Sequence, residues 1–417
     1  MMLRQNLKWL LVKNASVQMA VLIISTLIGF ITTMVLSRYL GVEAFGQFSY
    51  MFAFFYVFMA LNDFGVNTIV VREVSQSRER AGEIIGAMLI FKLLLAVLSV
   101  LVAWVTIGLM DFPAELKSSL GIFALYLPVT ALQLPSVIYQ VTLKLGRSAI
   151  LTLLAKGVVG FLLLMGVVWL GYGLKALAAA CVLTEGVLLV AILKDTRRFV
   201  RPVLRLDLKL WKQLLGPSFI LGITGLFGAA INQVDFMMLE RLTDMRQVGL
   251  YAVAHKVTNL LESLPLMVMG TLYPLMSHYA REDPLRLRVL YRKSVLALSA
   301  VAVLMGIVVT VFSPLIVRLL FGTQFKGAER GLAVLVWATV FIYMAITGGT
   351  LLISIGKERA SLVLNFLGAG LNIALNAVLI PTRGFVGGAL ATAATYLFIL
   401  LGTWAVSSRA LQHLKRA

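Results

Sequence analysis

The chain has 417 residues, of which 60% are hydrophobic and only 13% are charged, and its formal net charge is +19. Soluble domains average roughly 45–50% apolar and about 25% charged residues, so this composition excludes an ordinary soluble protein and predicts a membrane protein. A single cysteine, Cys181, excludes an intrachain disulfide and a thiolate metal cluster, and we predict neither a metal site nor a cofactor.

Apolar stretches long enough to cross a bilayer follow one another along the chain. A helix needs about 20 mainly apolar residues to span the hydrocarbon core. Residues 1–13 form a basic lead to a first stretch that is too long for the core of a signal peptide. We predict an all-α polytopic membrane protein with about twelve transmembrane helices. They lie near residues 15–37, 46–70, 84–109, 119–140, 149–170, 174–193, 214–239, 248–274, 294–316, 331–355, 361–381 and 385–406.

The positive charge is concentrated in every second loop. Most of the 37 Lys and Arg residues fall on the side of the N-terminus, including those of residues 194–212 and 281–293. The positive-inside rule then predicts that both termini are cytoplasmic. We also expect the protein to lie in a cell inner membrane. Because topology explains the charge, we predict no nucleic-acid partner. The loops on the other side are too short for an external catalytic domain, so we do not expect an enzyme.

Two halves of the sequence repeat one another. Residues 38–48 align without gaps on residues 241–251, which pairs Gly46 with Gly249. Each copy covers about six spans, an even number, so the two copies have the same orientation, as in transporters built from parallel repeats. This arrangement predicts alternating access, in which one lobe moves against the other.

The repeat divides the chain into two six-helix lobes. We place the N-terminal lobe at residues 1–195 and the C-terminal lobe at residues 216–417. Between them, residues 196–215 carry several Arg and Lys residues. We expect this basic linker to lie at the cytoplasmic surface and to be held partly by anionic lipid. A solvated topological anchor is the alternative interpretation.

Seven charged residues fall inside predicted spans, where a charge at mid-bilayer costs roughly 2.5–3.5 kcal/mol on insertion scales. We expect them to face protein or a wet cavity. Their depths along consecutive helices predict three ion pairs and leave Glu262 without a charged partner. The pairs are Asp63 with Lys92, Lys156 with Glu185, and Asp235 with Lys256.

Spans 7 and 8 are predicted to present polar faces. On span 8, His255, Asn259 and Glu262 follow the spacing i, i+4 and i+7, which places them on one helical face. On span 7, Asn232 precedes Asp235 by one turn. Glu262 lies near mid-depth and is our candidate for coupling to H⁺ or Na⁺, because burial favours the neutral form of a carboxyl group. A structural hydrogen bond to a nearby polar side chain is the alternative role.

The region between residues 214 and 257 resembles a known family. A proline enters a long span, an aspartate comes late in it, and a glycine and an aromatic residue open the next span. These positions are Pro217, Asp235, Gly249, Tyr251 and Ala254. The pattern is similar to the polysaccharide biosynthesis branch of the multidrug/oligosaccharidyl-lipid/polysaccharide exporter superfamily, the Wzx-type flippases.

The resemblance implies a V-shaped pair of lobes around a central cavity. It also implies movement of an undecaprenyl- or dolichyl-diphosphate-linked oligosaccharide from the inner to the outer leaflet for surface polysaccharide synthesis. Polysaccharide polymerase and glycosyltransferases are then the expected protein partners. Arg72, at a cavity mouth, is the candidate contact for phosphate. The chain departs from the family at Phe236, where an Arg often follows the Asp, and it has two spans fewer than many such exporters.

Three other functions remain open. A multidrug and toxin extrusion antiporter, driven by H⁺ or Na⁺, would use acidic residues of the N-terminal lobe, and Asp63 and Glu185 suit that role. A major-facilitator carrier also has twelve spans, but residues 72–83 lack the Gly-Asp-Arg-Gly-Arg pattern of that family. A non-transporting membrane scaffold is disfavoured by the charges inside the spans.

Overall fold

The computed structural model describes the backbone of residues 2–413 and most side chains of residues 16–412. The side chains outside this description in that range are at positions 217, 220, 221, 224, 227, 228, 230, 231 and 281. The described residues form helices joined by short turns, which confirms the predicted all-α class.

Fifteen α-helices make up the described chain. In order they are α1 (Met2–Asp63), α2 (Val66–Gln76), α3 (Ala81–Leu109), α4 (Ala114–Phe123), α5 (Tyr126–Ala131), α6 (Val137–Val141), α7 (Leu145–Thr152), α8 (Gly160–Trp169), α9 (Leu174–Thr196), α10 (Leu208–Leu242), α11 (Met245–Glu282), α12 (Pro284–Phe321), α13 (Ala328–Ser354), α14 (Glu358–Arg383) and α15 (Phe385–His413).

The helices account for the predicted membrane spans. Among the described residues, nine helices are long and apolar enough to cross a membrane, and the bent run of residues 114–141 makes a tenth. The first of these contains two spans, because α1 is interrupted at Gly41, which has a φ of 76° and a ψ of 179°. The chain is thus a multi-pass membrane protein, as predicted.

Two irregular segments shape the spans before α9. Residues 114–141 bend by 42° at a short 3₁₀ turn, Leu134–Ser136. Pro135 lies in this turn, where its missing N–H prevents a continuous helix. Between α7 and α8, residues Leu153–Val159 form a π-helix, a local widening that often marks a functional position.

The described chain forms two compact units. Unit 1 contains residues up to 39 and residues 51–233, and unit 2 contains residues 40–50 and the chain from 234 onward. Residues 40–50 pack in unit 2 because Gly46 and Gly249 allow two backbones to meet. A Cβ atom on Gly46 would lie 2.0 Å from the carbonyl oxygen of Met245. The units are defined by contacts between residues, and their boundaries differ from those of the predicted lobes. The lobe boundaries remain a prediction.

Candidate functional site

Asp235 is the centre of a polar cluster inside unit 2. The Tyr251 hydroxyl donates a hydrogen bond to its Oδ2 atom at 2.5 Å, and the Thr392 hydroxyl donates to the same oxygen at 2.8 Å. The Asn376 amide donates to Oδ1 at 2.5 Å. Since the three donors lie on α11, α15 and α14, one carboxylate on α10 connects four helices. We call these residues, together with Asn372, the Asp235 cluster.

The buried side of the Asp235 cluster is lined by oxygen atoms. Asn372 Oδ1 accepts a hydrogen bond from Asn376 at 3.0 Å, and both side chains are buried. Asn376 Oδ1 is also buried and has no hydrogen-bond partner among the described residues. The cluster thus combines one carboxylate with one unpartnered amide oxygen, and both are the kind of oxygen ligand that a hard cation prefers. The described residues contain no group of three or more His, Cys, Asp or Glu that could hold a metal ion.

The predicted ion pair between Asp235 and Lys256 is wrong. Neutral donors occupy the carboxylate, and no salt bridge of Lys256 exists within the described part of the chain. The reason is helical rotation: Tyr251 and His255 are four residues apart and share a face, whereas the next residue points about 100° away. Lys256 is accordingly exposed on α11.

His255 extends the Asp235 cluster along α11. Its ring stacks on Tyr251 with 5.8 Å between centroids, and its Nδ1 atom lies 3.3 Å from the Asn259 amide nitrogen. Phe236 meets the His255 ring edge to face at 5.3 Å. The aromatic residue that follows the aspartate therefore packs beside the cluster, at the position where the sequence departs from the family pattern.

Glu262 is held apart from the other predicted site residues of α11. Its Oε1 atom accepts a hydrogen bond from Thr339 at 3.2 Å, and Tyr343 donates to the neighbouring Leu261 carbonyl at 2.8 Å. Glu262 forms no salt bridge within the described residues, as predicted. Asn232 is exposed on α10 and belongs to unit 1.

The predicted pair of Lys156 and Glu185 is confirmed in unit 1. Glu185 is 2% exposed and has two further donors, the Tyr126 hydroxyl at 2.5 Å and the Gln133 amide at 2.9 Å. Lys156 extends from the π-helix, and Tyr126 and Gln133 lie in the bent run of residues 114–141. Both irregular segments thus contribute partners to one buried carboxylate.

The predicted pair of Asp63 and Lys92 is also confirmed. Lys92 Nζ lies 3.2 Å from Asp63 Oδ1 and donates a second hydrogen bond to Asn67 Oδ1 at 3.1 Å. Lys92 is 3% exposed, so the ammonium group is buried, whereas the Asp63 side chain is 38% exposed. Arg72, the predicted phosphate contact, has its guanidinium 2.8 Å from Glu73 Oε1 and is half exposed.

Sequence reasoning missed several residues of these clusters. Asn372 and Asn376 are four residues apart in an apolar span, so they lie on one face of the helix. This spacing could have predicted a polar face inside the membrane. A further buried carboxylate, that of Asp195, lies at the end of α9 and was not among the predicted site residues. Its Oδ2 atom accepts hydrogen bonds from Arg147 Nε at 2.7 Å and from the Tyr139 hydroxyl at 2.8 Å.

Polar clusters inside membrane-spanning helices are typical of transporters. Two sequence profiles of known families match this chain. The profile of the polysaccharide biosynthesis protein family matches residues 11–280. The chain belongs to this family. A second profile, that of the MatE family, matches residues 221–378. The predicted resemblance to the polysaccharide branch of this exporter superfamily is therefore confirmed.

Individual relatives extend the family match. A probable low-salt glycan biosynthesis flippase of Haloferax volcanii is 23% identical over 372 residues, which are 86% of this chain and 75% of the relative. An uncharacterized membrane protein of Methanocaldococcus jannaschii is 23% identical over 212 residues, 48% of this chain. This second match spans 41% of the relative, less than half of its length.

The fold is shared with a solved flippase. The structure of lipid II flippase MurJ in its inward closed conformation superposes with a TM-score of 0.79 at 14% sequence identity. The superposition covers 93% of this chain and 87% of that protein. At this identity the likeness shows that the two proteins share a fold.

Proposed function

We propose that the chain flips a polyprenyl-diphosphate-linked oligosaccharide from the cytoplasmic to the outer leaflet of a cell inner membrane, by alternating access. The observation that carries the proposal is membership of the polysaccharide biosynthesis family, whose profile spans residues 11–280. The Haloferax volcanii relative, named as a glycan biosynthesis flippase, supports it over 86% of this chain. Cytoplasmic termini, and a polymerase and glycosyltransferases as partners, belong to the same proposal.

Lys256 is the residue that we propose to contact the diphosphate. An ammonium group inside a membrane span is costly unless it has an anionic partner or water. Lys256 is exposed and forms no salt bridge within the described residues, whereas Lys92 and Lys156 are engaged by carboxylates. A diphosphate would supply the missing charge through charge-assisted hydrogen bonds. Arg72 is the second candidate, through the exposed half of its side chain.

The Asp235 cluster is the proposed site of the coupling ion. The carboxylate of Asp235 accepts hydrogen bonds from three neutral donors and forms no salt bridge within the described residues, so H⁺ or Na⁺ would be its counter-charge. The buried and unpartnered Asn376 Oδ1 atom offers a second oxygen in the same cluster. Glu262 is a further coupling candidate in unit 2, with Thr339 as its hydrogen-bond donor.

A multidrug antiporter is the alternative function, and the MatE profile match to residues 221–378 is the observation that favours it. Recognition of a cationic drug in unit 1 would require a carboxylate with charge to spare. Asp63 is paired with Lys92, and Glu185 is paired with Lys156. Both acidic residues that suited this role are thus neutralised by lysines, which favours the saccharide flippase.

The test is a flipping assay in proteoliposomes with a fluorescent polyprenyl-diphosphate oligosaccharide. We expect protein-dependent movement of the labelled lipid, competed by unlabelled polyprenyl-diphosphate saccharide and insensitive to cationic drugs. Efflux of a cationic dye from the same vesicles, without lipid movement, would establish the antiporter instead. If the protein moves neither substrate although its helix content and thermal unfolding are intact, the non-transporting scaffold is the function that remains.

A further inference from the structure

The segment that joins α9 to α10 lies on the surface of unit 1 in a fixed position. We call residues 197–212 the strap. The Val203 N–H donates a hydrogen bond to the Gly82 carbonyl at 2.9 Å, near the start of α3. Farther along, the Trp211 indole N–H donates to the Ala87 carbonyl at 3.0 Å. The strap is therefore held at two points of the same helix and is not a loose tether.

Two glycines of α3 allow this close approach. A Cβ atom on Gly86 would lie 2.0 Å from the Val203 carbonyl oxygen, and one on Gly82 would lie 2.6 Å from the Arg201 carbonyl oxygen. No side chain fits at such distances, so the backbone of the strap runs directly over the glycine positions. Val200 and Leu210 are buried on either side of this crossing and fix the strap further.

The side chains of the strap that point away from α3 are basic and apolar. Six basic residues are exposed, and they form no salt bridge within the described part of the chain. They are Arg197, Arg198, Arg201, Arg205, Lys209 and Lys212. The one acidic residue, Asp207, is occupied as a helix cap, accepting from the Leu210 N–H at 2.9 Å. The strap therefore carries six basic residues against one acidic residue and presents net positive charge.

Exposed apolar side chains alternate with this charge. Leu204, Leu206 and Leu208 are 66%, 58% and 65% exposed, and Val203 is 52% exposed. Residues 208–212 of the strap form the start of α10, and α9, which precedes the strap, is long and apolar enough to span a membrane. The strap therefore lies close to the level where headgroups meet acyl chains. Nucleic acid or an acidic protein would satisfy the charge but would leave the leucines in water, whereas a bilayer surface satisfies both.

We infer that the strap is a binding site for anionic phospholipid. The basic residues contact the phosphate and acidic headgroups, and the exposed leucines enter the acyl boundary. Unit 1 supplies the rigid support through Gly82 and Gly86, which keeps the charges on one surface. The inference is independent of the transported substrate, because the residues of the strap lie outside the Asp235 cluster and outside the buried pairs of unit 1.

The experiment measures lipid binding to the detergent-solubilised full chain by native mass spectrometry. Phosphatidylglycerol is compared with phosphatidylcholine of the same acyl chains. For the wild type we expect a preference for phosphatidylglycerol of about tenfold or more at low ionic strength, which falls as salt screens the charges. Replacing Arg201, Arg205 and Lys209 by Gln should abolish most of this preference. The matched control replaces Arg288, Arg292 and Lys293 by Gln and should retain it.

A second variant tests the geometry without changing the charge. Gly86→Ala displaces the strap and should weaken the preference, while Gly108→Ala, on the same helix with no atom within 4 Å, should not. If Gly86→Ala does not fold, the triple Gln variant decides. Equal losses in the strap variant and in its α12 control would overturn the inference. So would a wild type that binds soluble glycerophosphate as tightly as phosphatidylglycerol, since no lipid surface would then be recognised.

Discussion

Asn376 donates a hydrogen bond to Asp235 across 141 positions of the chain, with 2.5 Å between its Nδ2 atom and Asp235 Oδ1. The bond joins α14 to α10, and Asn376 is fully buried. Asn376→Ala should lower the free energy of unfolding by about 1–2 kcal/mol, because a partly buried carboxylate oxygen loses its donor. Thermal unfolding in detergent measures this loss.

The matched control for that variant is Asn365→Ala on the same helix. Asn365 is exposed and donates to the Ser361 carbonyl of its own helix at 2.8 Å. Its replacement should change the unfolding free energy by less than about 0.5 kcal/mol, the usual range for surface substitutions. Equal effects of the two variants would show that the contact with Asp235 contributes nothing to stability.

Asp235→Asn should remove ion-driven flipping and leave the downhill exchange of labelled lipid in place. The substitution keeps the size of the side chain but removes the charge that H⁺ or Na⁺ would bind. Glu262→Gln should reduce ion-driven flipping by less, because Glu262 has a single hydrogen-bond donor, Thr339, within the described residues. The measurement compares flipping with an imposed pH gradient, with a sodium gradient and with none.

The control for the charge change is Asp244→Asn. Asp244 caps α11 by accepting from the Gln247 N–H at 2.8 Å, and asparagine caps helices equally well. This variant should flip lipid like the wild type under every gradient. An Asp235→Asn protein that still responds to both gradients would exclude the Asp235 cluster as the coupling site.

Asp63→Asn should destabilise unit 1 by about 3 kcal/mol, because it leaves the ammonium group of Lys92 buried without a counter-charge. Adding Lys92→Met removes the stranded charge and should recover most of that loss. Thermal unfolding of the two single variants and the double variant completes a double-mutant cycle. Additive losses across this cycle would mean that the pair does not interact.

Lys256→Gln should weaken binding of the polyprenyl-diphosphate saccharide by on the order of tenfold to a hundredfold, the range for losing a hydrogen bond to a charged group. Lys256→Arg keeps the positive charge and should bind within about threefold of the wild type. Lys175→Gln, an exposed lysine at the start of α9, is the control. Saturation of the flipping rate with labelled lipid gives the affinities, and an unchanged affinity in Lys256→Gln would exclude the contact.

Gly46→Ala should prevent unit 2 from packing, because the new Cβ would lie 2.0 Å from the Met245 carbonyl oxygen and 2.8 Å from the Gly249 nitrogen. Overpacking of this kind costs roughly 1–3 kcal/mol or more. Gly29→Ala, in the same long helix with open space around it, should be tolerated. The yield of monodisperse protein and its melting temperature distinguish the two variants. Equal values would show that the backbone around Gly46 can move to make room for a methyl group.

Gly46 and Gly249 are equivalent positions of the sequence repeat and are also in contact in the structure. The sequence aligned Gly46 with Gly249 as equivalent positions, and the structure places them against each other in unit 2. An alignment of repeats predicts equivalence and carries no information on contact. The backbones are so close at this point that neither position has room for a side chain. The same contact explains why residues 40–50 of α1 pack in unit 2 while the rest of α1 packs in unit 1.

The sequence by itself determined the membrane class, the all-α fold and two of the three predicted ion pairs. Those features follow from composition and from distance along a helix, both of which are local quantities. Depth is read by counting residues, so Asp63 with Lys92 and Lys156 with Glu185 could be matched between consecutive spans.

Only the tertiary structure decided which way each helix is rotated and which distant helices meet. Asp235 and Lys256 match in depth, yet the rotation of α11 brings Tyr251 to the carboxylate, and α14 and α15 bring Asn376 and Thr392. Counting residues along the helices also could not predict the bend before α6 or the contact of the strap with α3 at Gly86. Helix rotation and long-range neighbours result from packing of the whole unit, and hydrophobic spacing in nearly uniformly apolar spans does not specify them.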